Sequence, residues 1–168
     1  MVLLLAACGP APVNVPTQVQ PLATAVVETA SGVIATVESA ATAGVPVTGA
    51  ATVKVAQSDS NGPILVDGDG FALYVFMSDT QNGTSSACTD EECTTEWPPL
   101  TTTAAPVAGE GATQDLLGTI TRDDGTMQVT YNGWPLHHFD EDTAPGDTKG
   151  QGMEGLWFLV SPAGEAIK

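Results

Sequence analysis

The sequence predicts an all-β domain of two related antiparallel β repeats, sandwich or barrel-like in packing, preceded by a low-complexity spacer. Three observations carry that prediction. Short apolar or alternating runs are separated by Asp67-Gly68, Asp69-Gly70, Asn82-Gly83, Asp124-Gly125 and Asn132-Gly133, dipeptides that favour the tight turns of β-hairpins. No run has apolar residues at helical spacing over a length that competes with this pattern. Finally, "DGFALYVFMSDTQNG" from Asp69 lies over "NGWPLHHFDEDTAPG" from Asn132 at a constant offset of 63, the mark of an internal repeat.

The chain opens MVLLLAACGP, a short apolar run leading through Leu5-Ala6-Ala7 into Cys8. A membrane-spanning helix needs about 20 apolar residues, so residues 1–8 read as the remnant of a signal peptide. Small residues before a cysteine match a bacterial lipobox, in which the Cys8 thiol receives diacylglycerol and becomes the mature N-terminus. No Lys or Arg precedes the run, so the start of translation is expected upstream of Met1. Palmitate-type acyl chains on Cys8 would then anchor the protein, each buried CH₂ contributing about 0.8 kcal/mol.

From residue 9 to about 58 there is no aromatic residue, and the only charges are Glu28, Glu38 and Lys54. Val26 to Ala43 offers a weak helix at best, with little to bury. Residues 9–61 are therefore expected to be a mostly disordered Ala/Thr/Val/Pro-rich spacer.

The β domain is expected over 62–168, where every aromatic residue lies and where the length suffices for one modest core. Ile64–Val66 and Ala72–Phe76 are its first strands, within a repeat of about 62–100. Gly118–Thr121, Met127–Tyr131, Leu136–Phe139 and Leu156–Val160 follow in a second repeat of about 118–164. Cys88 and Cys93 enclose four residues, three of them acidic, which disfavours a reactive thiolate and fits neither a CxxC redox motif nor a zinc ribbon. A structural disulfide closing a hairpin loop is the expectation, with metal ligation as the alternative.

Within the repeat, Gly70 lies over Gly133, Phe71 over Trp134, Leu73 over Leu136 and Phe76 over Phe139; Trp97 lies over Trp157 at an offset of 60. Copy one carries Tyr74-x-Phe76-x-x-Asp79, and copy two carries His137-x-Phe139-x-x-Asp142. Together with "CTDEECTTEWPPL" and "GDTKGQGMEGLWFLVSPAG", these stretches resemble the bacterial lipoprotein family known for a Tyr-x-aromatic-x-x-Asp motif, also called the secreted repeat of unknown function. The resemblance covers about 62–164 and the lipobox. It implies a lipid-anchored, exported protein with tandem repeats and no established biochemical activity. His137 departs from it, standing where the motif has Tyr.

The side-by-side histidines invite a metal reading with His137, His138, Asp140 and Asp142 as ligands. Adjacent strand residues point to opposite faces, so the two rings do not readily share one ion. The competing reading gives His137 the half-buried aromatic slot that Tyr74 fills in copy one. Met127 and Met153 are the soft side chains that copper or haem iron would use, but no CxxCH is present. Asp140, Glu141, Asp142 and Asp147 would supply oxygens to calcium, although no EF-hand loop is formed. The plainer expectation for Asp79 and Asp142 is an Asx-turn, with the carboxylate accepting backbone N–H bonds in the turn that follows.

With 20 Asp and Glu against 4 Lys and Arg and a net charge of -16, nucleic-acid binding is excluded by repulsion. No G-x-S-x-G elbow or phosphate-binding loop exists. The reading is a non-enzymatic, monomeric, lipid-anchored envelope module, without a cofactor, that binds envelope components or small ligands. The alternatives are a metal-binding or electron-transfer module using His137 or His138, and a calcium-stabilised extracellular domain.

Overall fold

A computed structural model describes residues 49–168; the lipobox at 1–8 and most of the expected spacer lie outside them. Nine strands and one short helix make up the domain: β1 (Thr52–Ser58), β2 (Gly62–Asp67), β3 (Tyr74–Phe76), α1 (Glu91–Glu96), β4 (Thr101–Thr102), β5 (Val107–Ala108), β6 (Leu117–Thr121), β7 (Met127–Tyr131), β8 (Trp134–Pro135) and β9 (Trp157–Leu159). They form three small sheets, ordered β2-β1-β5, β3-β9 and β4-β7-β6, with β8 also on β7. All strand pairs are antiparallel except β1 with β5. The fold is all-β, as expected.

The domain begins earlier than residue 62. Strand β1 falls inside the expected spacer and pairs with β2 from Val53↔Asp67 to Ser58↔Gly62. Its alternation, with Val53 fully buried between Thr52 and Lys54, is a strand pattern that the absence of aromatics had masked. Repeat one is therefore the β1–β2 hairpin followed by β3. Repeat two is the β6–β7 hairpin followed by β8 and the His137 segment.

The helix α1 was not anticipated. Asp90 caps it by accepting the Cys93 N–H at 2.9 Å, with Glu91 and Glu92 in the first turn, an arrangement that satisfies free N–H groups and the helix dipole. The Cys88–Cys93 disulfide, with Cα atoms 5.5 Å apart, thus ties a loop to the first turn of a helix and does not close a hairpin.

The two repeats exchange their last strands. The motif strand of copy one, β3, pairs with β9 of copy two, matching Tyr74 to Leu159 and Phe76 to Trp157. Reciprocally, His137 of copy two bridges to Pro99 of copy one, and the His138 N–H donates to the Pro98 carbonyl at 2.8 Å. Leu65 N–H to Val160 C=O, at 2.8 Å, is mirrored by Val129 N–H to Leu100 C=O at 2.8 Å. At the centre the motif positions meet: Tyr74 N–H donates to His137 C=O at 2.9 Å, and His137 N–H donates to Tyr74 C=O at 3.0 Å. The hydrogen bonds fall in matched pairs, as a pseudo-twofold relation requires.

Apolar packing covers both faces of this layer. On β2, Leu65 enters a cluster with Leu73, Val75, Val129, Leu136 and Val160, while Ile64 and Val66 enter a second with Tyr74, Trp97, Phe139 and Trp157. A strand buried on both faces has to be continuously apolar, which accounts for Ile64-Leu65-Val66. In the second cluster Phe139, Trp97, Trp157 and Phe76 form one stack, with centroid separations of 4.4, 4.0 and 4.3 Å. The two tryptophans are 2° from parallel and lie on the pseudo-axis, so their sequence match reflects contact.

Two matched glycines let the loops close over the opposite copy. The Asn82 N–H donates to the Gly133 carbonyl and the Gly146 N–H to the Gly70 carbonyl. A Cβ on Gly133 (φ 76°) would strike the Asn82 backbone nitrogen and side chain, whereas Gly125 (φ 84°) has open space around it. Both positions disfavour L side chains, but only one is also crowded. Gly133→Ala should therefore cost at least about 2 kcal/mol more than Gly125→Ala in denaturant unfolding; equal losses would mean that the loop contact is not held.

Candidate functional site

The motif residues are used across the repeats. The Tyr74 hydroxyl donates to Asp142 Oδ2 at 2.6 Å, while Asp142 Oδ1 accepts the Lys149 N–H at 2.9 Å. Burial, and then the bond to Asp142, raises the Tyr74 phenol well above its ordinary range, so it stays protonated and donating. In the mirrored place Asp79 accepts the Ala87 N–H and the Ser86 hydroxyl. Neither carboxylate makes the short Asx-turn expected; each reaches seven or eight residues on.

Copy two cannot repeat the tyrosine bond, because an imidazole is shorter than a phenol. His137 is fully buried and edge-on to Trp157 at 5.2 Å, as Tyr74 is to Trp97 at 5.4 Å. It therefore occupies the aromatic slot, more deeply than the half-buried position expected. Ser86 fills the remaining distance: its hydroxyl lies 3.1 Å from Asp79 Oδ1 and 3.4 Å from His137 Nε2.

A second exchange accompanies the first. The backbone pairing sets Val129 where Leu65 stands in copy one, so Gln128 replaces Ile64 and Arg122 replaces Ser58. The Arg122 guanidinium donates to Gln128 Oε1 at 2.7 Å and to the Cys88 carbonyl at 2.8 Å. Arginine only donates, which assigns the Gln128 amide. Gln128 Nε2 then donates to the Leu136 carbonyl at 2.9 Å and to His137 Nε2 at 3.0 Å. His137 Nε2 must accept, so the ring proton sits on Nδ1, a buried atom with no hydrogen-bond partner. Leaving such a group unpaired costs about 1–3 kcal/mol.

Burial, then the charges of Arg122 and His138, hold the His137 imidazole neutral down to about 3. Burial pushes the Asp79 carboxyl up, against the N–H of Ala87, the Ser86 hydroxyl and the charge of Arg122. Asp79, Ser86 and His137 do not form a nucleophilic triad, because the hydroxyl lies between acid and base and donates to the acid. The polar chain Arg122–Gln128–His137–Ser86–Asp79 reaches the surface at a cleft of about 170 Å³ lined by Ser85, Ser86, Thr89 and Thr121–Asp124.

The residues weighed as metal ligands are not brought together. His138 points away from His137, and its Nε2 pairs with Asp67 Oδ2 at 3.0 Å. Burial acts to raise the Asp67 carboxyl, but His138 and the N–H groups of Phe71 and Gly70 bring it below its usual value. Asp142 is engaged by Tyr74 and Lys149, and Asp147 pairs with Lys149 at 2.9 Å. Met153 packs against the aromatic cluster. Among the described residues, no three His, Cys, Asp or Glu side chains gather as a metal site would require. Sequence reasoning missed Ser86, Arg122 and Gln128; the available signal was that Gln128 is polar at a position where copy one is apolar.

The neutral histidine has a pH consequence. An unfolded imidazole takes up a proton as pH falls through its ordinary 6.5, while the folded one does not until about 3. The unfolded state thus binds more protons in that window, and stability falls with falling pH. Between pH 6.5 and 5 the loss should be up to about 2 kcal/mol. His137→Leu should flatten it in denaturant titrations at each pH; an unchanged slope would contradict the buried neutral assignment.

No curated protein and no solved structure matches the chain. One family does, twice, over residues 55–101 and 118–161. These segments cover most of both hairpins and both motif stretches, Tyr74–Asp79 and His137–Asp142. The chain belongs to the family described as a secreted repeat of unknown function.

Proposed function

We propose that the protein is an exported, lipid-anchored module of the cell envelope that works by binding, without catalysis. The observation that carries the non-catalytic reading is the use of the motif itself. Tyr74 is spent on Asp142, and His137 is buried with its Nε2 occupied by Gln128, so the repeated residues hold the two copies together. Membership of a secreted-repeat family and the lipobox at Cys8 support the location. The spacer would lift the domain from the membrane, and the acidic surface, repelled by anionic lipid, leaves attachment to the acyl chains. Among the described residues no helix is long and apolar enough to cross a membrane.

Intact-mass measurement of protein extracted from host membranes tests this reading. The expected result is a chain beginning at an acylated Cys8 that partitions into detergent, and a Cys8→Ser chain that is released into the soluble fraction. An unmodified chain still carrying Met1 would overturn the anchor.

A further inference from the structure

The two repeats differ most where the polar side chains converge. Copy one places Ser58, Ile64 and Tyr74 opposite the loop of copy two; there the hairpin tip touches that loop, Asn61 Nδ2 donating to Thr148 Oγ1 at 3.4 Å. Copy two places Arg122, Gln128 and His137 opposite the disulfide-bearing loop of copy one, and there a cleft of about 170 Å³ opens. Architecture needs only the first arrangement. Where copy one has a serine, an isoleucine and a tyrosine whose hydroxyl goes to Asp142, copy two has a connected polar chain, at the cost of an unpartnered buried Nδ1 on His137, and the chain ends at the cleft.

Its lining sets the ligand chemistry. Ser85, Thr89 and Thr121 offer hydroxyls, Asp123 and Asp124 offer acceptors, and Arg122 offers the guanidinium donors not taken by Gln128 and Cys88. Two carboxylates beside one cation, in a chain of net charge -16, disfavour the entry of an anion. A simple cation would meet a guanidinium that Gln128 and the Cys88 carbonyl lock in place. A neutral ring with several hydroxyls satisfies both signs, donating to Asp123 and Asp124 and accepting from Arg122. Because Arg122 is already anchored, little of its rotamer freedom would be lost on binding.

We infer that the cleft between the disulfide loop and the β6–β7 turn binds one neutral sugar ring, such as the end unit of an envelope glycan. This deepens the binding-module reading and rests on it, but does not depend on the lipid anchor.

The test is a ¹H–¹⁵N NMR titration of the full chain carrying Cys8→Ser, using glucose and N-acetylglucosamine as probes, with alanine and inorganic phosphate alongside. Saturable shifts are expected for the Arg122 Nε–H, the Gln128 side-chain amide and the Thr89 amide, with a Kd of about 10 mM or tighter for at least one sugar. Asp123→Asn and Thr89→Val, both at exposed positions, should weaken binding at least about tenfold. The inference fails if neither sugar gives saturable shifts, if the rim variants bind as the parent does, or if alanine or phosphate binds and the sugars do not. Any of these failures leaves the intact-mass result on Cys8 untouched, so the anchor and the cleft are judged separately.

Discussion

The pair of backbone hydrogen bonds between Tyr74 and His137 is the constraint on which the domain depends. It fixes where the two motif strands cross and places each motif carboxylate beneath the aromatic residue of the other copy. Once that register is set, β9 of copy two must complete copy one, and Trp97–Leu100 must complete copy two. The tryptophan stack follows, because both exchanged segments bring their indoles to the same axis. Aromatic pairs of this kind add about 0.5–1.5 kcal/mol each beyond the area they bury, so the axis is also where apolar stabilisation is concentrated. Neither repeat carries a complete core: Leu65 and Val160, or Val129 and Leu100, come from different copies.

A symmetric frame makes departures from symmetry informative. Tyr74 and Asp142 make a short, buried bond that needs no further support. His137 and Asp79 cannot, and the gap is filled by Ser86, Gln128 and Arg122, which join the disulfide loop to the β6–β7 hairpin. Buried polar networks stabilise only when every member is satisfied, and the His137 Nδ1 is not. The asymmetry is therefore poorly explained as a stability device. It coincides with a polar cleft at the surface, which is why the proposed binding site lies at that end of the domain and not at the histidine pair as such.

Much of the frame was readable in the sequence. The Asp-Gly and Asn-Gly turns and the offset of 63 pointed to the class and the two repeats, and the match of Trp97 with Trp157 marked the two indoles as equivalent. Two local features were hidden for physical reasons. Strand β1 is built of small and β-branched residues that resemble the spacer before it, and only its pairing with β2 and β5 sets it apart. Helix α1 is too short to show periodicity, although Asp90 followed by Glu91 and Glu92 is a start signal. The site was less readable still. Strand alternation already set the two histidines on opposite faces, but not which one turns inward to Gln128 and which one reaches Asp67. The residues that join His137, namely Ser86, Arg122 and Gln128, come from separate elements, and only the exchanged topology brings them together.

Native-state amide hydrogen exchange reads the interlock of the two repeats, since it reports whether parts of a domain open separately. If the repeats are interlocked by strand exchange, the amides of Tyr74, His137, Leu65 and Val129 should all exchange through one global opening, with a common free energy and a common denaturant dependence. Protection that separates into two levels, Leu65 and Tyr74 at one and Val129 and His137 at the other, would mean that each repeat opens on its own and that strand exchange does not interlock them.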